Sequence, residues 1–386
     1  MRTIDLDNNA TTKPTPEACA AVQRGMTDLW HNPSSVHRPG QAARHALELA
    51  RAQIAALIGA SPRRLTLTAS GTESIHLGVR GLLGATTKRT IITTAIEHAA
   101  IRDLCEQLAG DGVTVRLAPL DAHGVADPDA LAALIDDDTA LVSIQWANNE
   151  TGVIHPVRAI GELCRARAVP FHCDATQWVG KMPCDLGTPD APPIDLLTAS
   201  AHKFHGPKGV GLLWTGPGVR LRPVMPGSQE LGRRAGTENL PAILGAGVAA
   251  EQALVWLADP GERDRLAGLR DAFEERVIAG CQGAHTNPSP ACPRLWNTTN
   301  IAFPRLGAEA LLMGFSERGL CASAGAACSS GSLDPSPVLL AMGIPSESAH
   351  GSVRFSLSRD TTEQELRDAA DLVAAVVQRL AAVLPA

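Results

Sequence analysis

The chain has 386 residues, of which 45% are hydrophobic and 19% are charged, and it contains no tyrosine. A chain of this length exceeds the size at which one hydrophobic core usually stops growing, so we expect two domains. The formal net charge of -6 provides no basic field for a general grip on nucleic acid. We therefore expect a small substrate and no nucleic-acid partner.

The N-terminus carries acidic residues where a secretory signal would need an apolar run, and no later stretch of about 18 uncharged apolar residues appears. This pattern predicts a cytoplasmic protein with no membrane partner. The nine cysteines are scattered without a Cys-x-x-Cys pair, so we expect neither a disulfide framework nor a metal site.

The first strong element along the chain is a helix predicted at 41–58, which ends at Gly59. Short β-branched runs then alternate with helical stretches, which is typical of an α/β fold with a mostly parallel sheet covered on both faces. Helices are predicted at 99–109 and 157–168. Strands are predicted at 65–68, 90–94, 141–145, 169–172, 194–198 and 210–214.

The pattern changes after about residue 260. A charged helix is predicted at 262–279, followed by strands at 300–303 and 352–357. A last helix is expected near Thr361, where Thr361 and Gln364 have capping-box spacing. We therefore expect a large domain at 16–259 and a smaller α+β domain formed by 1–15 and 260–386.

Polar residues follow several predicted strands, where ligands gather in a parallel sheet. Residues 69–74 form a small polar turn that leads into a helix, so free N–H groups such as that of Gly71 would bind a phosphate. Such a turn is also an ordinary helix cap, and a lone His98 or the turn at 148–152 has a structural explanation too. The coincidence of these segments with Asp174 and Gln177 favours a site.

Lys203 gives the sharpest local signal. It follows an apolar strand and is flanked by Ser200, His202 and glycine, which suits an amine that forms a Schiff base with an aldehyde cofactor. The alternative is a lysine whose ammonium is solvated, and for Lys208 we prefer that interpretation. An aldehyde with a phosphate group is pyridoxal 5'-phosphate, for which Asp174 would hold the ring nitrogen.

The same cofactor gives roles to two further residues. His98 would stack on the face of the ring, and Gln177 would donate a hydrogen bond to its phenolic oxygen. The chain, as a whole, resembles the cysteine desulfurases of the NifS and IscS type, nearest to the NifS branch. The matching motifs are residues 6–12 (LDNNATT), 32–35 (NPSS), 71–74 (GTES), 97–98 (EH), 148–152 (NNETG), 174–177 (DATQ), 202–203 (HK), 232–239 (GRRAGTEN), 327–328 (AC) and 353–359 (VRFSLSR).

This resemblance implies fold type I of the pyridoxal-phosphate enzymes, with a seven-stranded type of sheet flanked by helices and a smaller α+β domain. It implies a homodimer in which Thr237 reaches the cofactor phosphate of the neighbouring subunit. Asn149 and Arg354 would hold the substrate carboxylate. The implied phosphate ligands in the same subunit are Thr72, Ser200 and His202.

The resemblance also assigns the sulfur chemistry to Cys328, which would attack the thiol sulfur of L-cysteine and carry a persulfide to an acceptor or iron–sulfur scaffold protein. The candidate catalytic residues are therefore Lys203, Cys328 and His98. Other reactions of this cofactor stay open, namely selenocysteine lyase, cysteine sulfinate desulfinase and aminotransferase. A non-catalytic scaffold subunit is a further alternative. Ala201 stands where the family usually has glycine.

Overall fold

A computed structural model describes residues 3–288, 291–325 and 334–382. The strands in these ranges are β1 (Ile4–Asp5), β2 (Leu65–Thr68), β3 (Thr90–Thr93), β4 (Thr114–Leu117), β5 (Thr139–Gln145), β6 (Phe171–Asp174), β7 (Leu196–Ser200), β8 (Gly211–Thr215), β9 (His285–Thr286), β10 (Thr298–Ala302), β11 (Leu320–Cys321) and β12 (Ser352–Ser356). The α-helices are α1 (Pro16–Thr27), α2 (Arg38–Leu57), α3 (Gly71–Leu83), α4 (Ala99–Gly110), α5 (Pro128–Ala132), α6 (Val157–Ala166), α7 (Leu240–Leu257), α8 (Pro260–Gly280), α9 (Ala308–Ser316), α10 (Pro337–Ala341), α11 (Ser346–His350) and α12 (Glu363–Ala381).

Seven strands form the main sheet in the order β2-β8-β7-β6-β5-β3-β4. All neighbouring pairs are parallel except the two that β8 makes with β2 and β7. Every residue of β5 and β6 is buried, because helices cover both faces of the sheet. The predicted α/β fold with a mostly parallel sheet is confirmed.

Hydrogen bonds at the N-terminus of α3 fix its first turn at the carboxyl edge of this sheet. The Ser70 side chain accepts a hydrogen bond from Glu73 N at 3.1 Å, and Glu73 Oε2 accepts one from Ala69 N at 2.6 Å. The Glu73 N–H is one of those that the first turn of a helix leaves without a partner, and the bond to Ala69 N ties the helix to the residue before its cap. They fix where α3 begins, directly after β2.

A second apolar cluster lies apart from the core of the main sheet. It is formed by buried side chains of α8, α9, β10, β12 and α12 together with Ile4 and Leu6, and it surrounds the three-stranded sheet β12-β10-β9. Strand β1 pairs in parallel with β11, so the N-terminal residues join this cluster. We propose that the two clusters belong to the two domains with the bounds predicted above.

The predicted start of the last helix is wrong by one residue. Thr362, and not Thr361, caps α12, and its capping box is closed by Glu365. Thr361 is excluded because its hydroxyl accepts a hydrogen bond from Ser358 N at 2.8 Å, in the preceding turn. Two Thr-x-x-acceptor patterns overlap here, and the turn at Ser358 decides between them.

Among the helices of the described residues, α7 has the length and the apolar composition that crossing a membrane would require. It packs along both α1 and α2, and 56% of the helix is buried inside the protein. A Cβ atom at Gly245 would lie 2.7 Å from a Val22 methyl, and one at Gly247 would lie 3.0 Å from Ala50 Cβ. This close packing is that of a core helix, so its composition is weak evidence for a membrane span.

Candidate active site

A cavity of about 340 Å³ lies at the carboxyl edge of the main sheet, a volume in the range of small-molecule sites. It collects the ends of β2, β5, β6 and β7, the start of α3 and one side chain of β12. Its lining includes Asn9, Gly71, Thr72, His98, Asn149, Asp174, Thr176, Gln177, Ser200, His202, Lys203, Lys208 and Arg354. Most of the predicted site residues are therefore brought together.

Lys203 ends the 3-10 turn that follows β7. Its Nζ atom donates to the main-chain oxygens of Asn9 at 2.6 Å and Ala10 at 2.8 Å. The methyl group of Ala201 is accommodated because residue 206 is glycine, where a Cβ atom would lie 2.8 Å from Ala201 O and 3.0 Å from Ala201 Cβ. The departure from glycine at position 201 therefore leaves the Lys203 turn intact.

The N-terminus of α3 and the His202 side chain form the anion-binding part of the cavity. Gly71 is buried and begins the helix, whereas Thr72 is exposed. Burial, with the positive charges of Lys203, Lys208 and Lys181 adding to it, lowers the pKa of His202 to about 4. A neutral imidazole beside free helix N–H groups suits hydrogen bonding to a phosphate. Lys208, expected to be solvated, is exposed and also lines this cavity.

Asp174 is the last residue of β6 and is 6% exposed. Its Oδ1 accepts hydrogen bonds from the Thr176 main chain at 3.0 Å and from the Thr176 hydroxyl at 2.6 Å. Among the described residues, no hydrogen bond reaches its Oδ2. The aspartate is therefore held in one orientation with an acceptor atom left for a ligand in the cavity.

His98 caps α4 through Nδ1, which accepts a hydrogen bond from Ala100 N at 3.1 Å. Burial lowers the pKa of His98, and the positive charge of Lys203 lowers it further, although Asp174 opposes both effects. Because Nδ1 is an acceptor and the ring is in contact with the cavity, His98 is a neutral ring at pH 7. This state suits packing on a flat ligand ring.

Arg354 lies at the centre of β12 and is 1% exposed. Its Nη1 donates to Asn149 O and Gly325 O, both at 3.1 Å, and its Nη2 donates to Asp7 Oδ1 at 2.6 Å. Its Nε is buried and has no acceptor among the described residues. A buried guanidinium N–H without a partner is costly, so a ligand carboxylate would complete this site.

Two of the predicted site residues are not placed in the cavity. Thr237 is exposed and does not line the cavity. Cys328 lies in 326–333, outside the described residues, so no contact can be given for it.

Sequence reasoning missed Asn9 and Lys181 as individual site residues. Asn9 is 1% exposed and accepts from Lys203 and Gln177 through its main-chain oxygen. It belongs to the motif at 6–12, which was the available signal. Lys181 is 4% exposed and donates to the side chains of Asn9 and Gln177. No sequence pattern marks it, because its burial depends on distant segments.

The donor set fits pyridoxal 5'-phosphate. Lys203 offers an amine for the aldehyde, Asp174 an acceptor for the protonated ring nitrogen, and the start of α3 N–H groups for the phosphate. The fold and this cavity together define an enzyme of fold type I, the class that binds this cofactor at the carboxyl edge of its large sheet.

Comparison with known proteins agrees with that class. The family model described as aminotransferase class-V matches residues 4–368. The cysteine desulfurase NifS of Azotobacter vinelandii is 43% identical over 388 residues, which cover all of this chain and 95% of that protein. This chain therefore belongs to the class V aminotransferase family and, within it, to the NifS-type cysteine desulfurases.

Solved structures give the same relationship. A NifS-like protein superposes with a TM-score of 0.90 at 33% identity and covers 98% of this chain and 100% of its own. The structure described as SspA in complex with cysteine has a TM-score of 0.80 at 30% identity, with 93% of this chain and 100% of that chain covered.

Proposed function

We propose that this protein is a cysteine desulfurase that removes the sulfur of L-cysteine, releases L-alanine and carries the sulfur as a persulfide on Cys328. The observation that supports it most strongly is the grouping of Lys203, Asp174 and Arg354 in one cavity. An amine, an acid and a buried guanidinium are the groups needed to hold the cofactor and an amino acid together. The similarity to curated cysteine desulfurases supports the choice of reaction.

The proposed cofactor is pyridoxal 5'-phosphate. When bound, it withdraws electrons from the α-carbon of an attached amino acid and so makes the α-proton acidic. Lys203 would bond to the aldehyde, Asp174 would accept from the ring nitrogen, His98 would pack on the ring and Gln177 would donate to the phenolic oxygen. The proposed phosphate ligands are Gly71, Thr72, Ser200 and His202, with Thr237 supplied by the second subunit.

Arg354 and Asn149 would hold the substrate carboxylate. The guanidinium of Arg354 is fixed by Asp7 and by two carbonyl groups, so it keeps its orientation before the substrate binds. Its buried Nε is the donor that a carboxylate would satisfy. A guanidinium also matches the planar shape of a carboxylate, which a lysine ammonium does not.

The amine of Lys203 would move the proton at the α-carbon of the substrate. It lies in a cavity closed on one side by the Asn9 and Ala10 carbonyls, which orient its Nζ. The thiolate of Cys328 would then attack the substrate sulfur: a sulfur–sulfur bond forms, the carbon–sulfur bond breaks, and its electron pair remains with the carbon that becomes the alanine methyl group. One cysteine and one enzyme thiol thus give one alanine and one enzyme persulfide.

The proposal extends to the state of the protein in the cell. We propose a cytoplasmic homodimer with shared sites, in which the exposed Thr237 of each subunit completes the phosphate site of the other. The persulfide would be passed to an acceptor or iron–sulfur scaffold protein. The source of support is the family resemblance, together with the position of Thr237 away from the cavity of its own subunit.

Mass spectrometry after a short pulse of L-cysteine tests the reaction. The wild-type peptide that contains Cys328 is expected to gain the mass of one sulfur atom, and free alanine is expected to accumulate. Cys328→Ala should abolish both signals, because no other residue is proposed to accept the sulfur. Cys321→Ala is the matched control, since Cys321 is an exposed free cysteine in the same region of the chain.

Two results would contradict the proposal. Equal alanine formation by Cys328→Ala and the wild type would point to a different reaction of the same cofactor. Sulfur on another cysteine in the wild type would remove Cys328 from its role.

A further inference from the structure

Lys181 is a buried lysine for which the proposed reaction has no use. It follows the turn after β6 and is 4% exposed. Its Nζ donates to Asn9 Oδ1 at 2.8 Å and to Gln177 Oε1 at 2.5 Å. Burial, together with the charges of Lys203 and Arg354, lowers the pKa of Lys181 well below its usual value. Burying an amine costs free energy. The contacts of Lys181 therefore indicate a role other than packing in the core.

The contact with Gln177 decides which way its amide group is turned. An amide has one acceptor end and one donor end. Lys181 is a donor, so it selects the oxygen of Gln177, and the Nε2 group is left to donate to Asn9 O at 3.1 Å and to the cavity that Gln177 lines. In the flipped amide, two oxygens would meet at that distance and Lys181 would face a second donor.

The contact with Asn9 anchors the main chain beside Lys203. Asn9 Oδ1 accepts from Lys181 and from Asn297 Nδ2 at 3.0 Å, and Asn9 Nδ2 donates to Thr298 Oγ1 at 2.9 Å. The main-chain oxygen of the same residue accepts from Lys203 Nζ at 2.6 Å. Lys181 therefore contacts two residues that line the cavity, Gln177 and Asn9, and the second of them accepts from the Lys203 amine.

We propose that Lys181 is a positioning residue of this site, which turns the donor end of Gln177 toward the cofactor ring and holds the Asn9 carbonyl beside Lys203. The proposal rests on the cofactor role of Gln177 proposed above. It assigns a specific role to a buried amine that contacts neither the cofactor nor the substrate itself.

The test uses the holoenzyme and the visible absorption band of its bound cofactor, titrated with pH. Lys181→Met removes the donor but keeps the length of the side chain, so the Gln177 amide is free to turn. A hydrogen-bond donor stabilises the more anionic form of the bound ring, so its loss should move the pH midpoint upward by about one unit. Lys88 lies before the amino end of β3, at the edge of the sheet opposite the cavity. Lys88→Met is therefore the control and should keep the wild-type midpoint.

A double-mutant cycle separates positioning from general loosening of the structure. Gln177→Leu should shift the midpoint in the same direction, and adding Lys181→Met to it should cause no further shift, because Lys181 acts through Gln177. An unchanged midpoint in Lys181→Met would overturn the proposal. So would a shift caused by Lys181→Met that is as large in the Gln177→Leu background as in the wild type.

If Lys181→Met does not yield soluble protein, Lys181→Gln replaces it. The shorter, uncharged amide should shift the pH midpoint in the same direction but by a smaller amount. No shift in that variant would likewise overturn the proposal. The absorption band needs only bound cofactor, so a wild type that shows the band but forms no alanine would contradict the proposed function and not this inference.

Discussion

Positive charge is buried in two different ways in two regions of the molecule. Between α8 and the segment before β10, Arg294 donates from Nη1 and Nη2 to both oxygens of Glu274, and the two side chains are 3% and 6% exposed. Beside the cavity, Lys181 donates to the neutral amide oxygens of Asn9 and Gln177, and in the cavity Arg354 keeps a buried Nε without an acceptor among the described residues.

The difference separates groups that support the fold from groups that serve the site. In the first region each charge is matched by its opposite with bidentate geometry, so desolvation is offset within the protein. In the cavity the charge of Arg354 is paired with Asp7, but its Nε donor is left without an acceptor among the described residues. A buried donor left without an acceptor indicates where a ligand belongs.

The largest effect is expected from Lys203→Met. The variant should lower alanine formation by about a thousandfold or more, because both the attachment of the cofactor and the proton transfer depend on this amine. The urea midpoint should change much less than the rate of alanine formation. Alanine release and urea unfolding, measured on the same preparation, check both statements.

Lys13→Met is the control for Lys203→Met, because Lys13 is an exposed lysine that does not line the cavity. Alanine formation by Lys203→Met within tenfold of the wild type would remove the residue from the chemistry. Borohydride reduction of the wild-type holoenzyme, followed by peptide mapping, should also place the cofactor on position 203.

The opposite pattern is expected from Arg294→Met. The variant leaves the Glu274 carboxylate buried without its partner, which should lower the free energy of unfolding by about 3 kcal/mol. The double variant Arg294→Met with Glu274→Met should recover most of this loss, because two apolar side chains of similar size pack without an unpaired charge. Urea unfolding at fixed protein concentration measures the loss in Arg294→Met and its recovery in the double variant. Arg294→Met as stable as the wild type would show that the ion pair with Glu274 contributes nothing to stability.

Much of the fold could be predicted from local pattern. Each predicted strand is observed with its ends within two residues, because fully buried strands are continuous apolar runs. Strand β4 was missed, since it lies at the sheet edge and its residues are exposed or half-buried without alternation. An edge strand with the sequence Thr-Val-Arg-Leu has no pattern that separates it from a loop.

The site was predictable where its residues follow strands. Asp174 ends β6 and Lys203 follows β7, so topology alone brings them to one edge. Lys181 could not be found in this way, because its surroundings come from Asn9 and from Trp296, which donates from Nε1 to Lys181 O at 3.0 Å. Contacts between segments more than a hundred residues apart leave no local signature.

An acidic side chain, Glu97, is also buried in this region and is wholly enclosed next to His98. Its Oε1 accepts from the Thr94 hydroxyl at 2.7 Å, and both oxygens accept from Gln145 N. Burial, with a smaller effect from the charge of Asp174, raises the pKa of Glu97 to about 8. Among the described residues no ion pair is formed by Glu97, and the more distant Arg102 lowers its pKa only slightly, so we expect the carboxyl group to be protonated in the folded protein at neutral pH.

Glu97→Gln should therefore change how stability depends on pH. A carboxyl group whose pKa is higher in the folded state binds more protons folded than unfolded, so its contribution to stability falls as the pH rises from about 4.5 to about 8. The variant lacks this titration but keeps an acceptor for Thr94 and Gln145. Relative to the wild type it should gain about 2.5 kcal/mol of unfolding free energy between about pH 5.5 and about pH 7.5, at a slope that approaches roughly 1.4 kcal/mol per pH unit. Urea unfolding across that pH range measures the difference. Glu106→Gln, at an exposed position of α4, is the control. Parallel curves of stability against pH for Glu97→Gln and the wild type would mean that Glu97 is ionised in the folded protein.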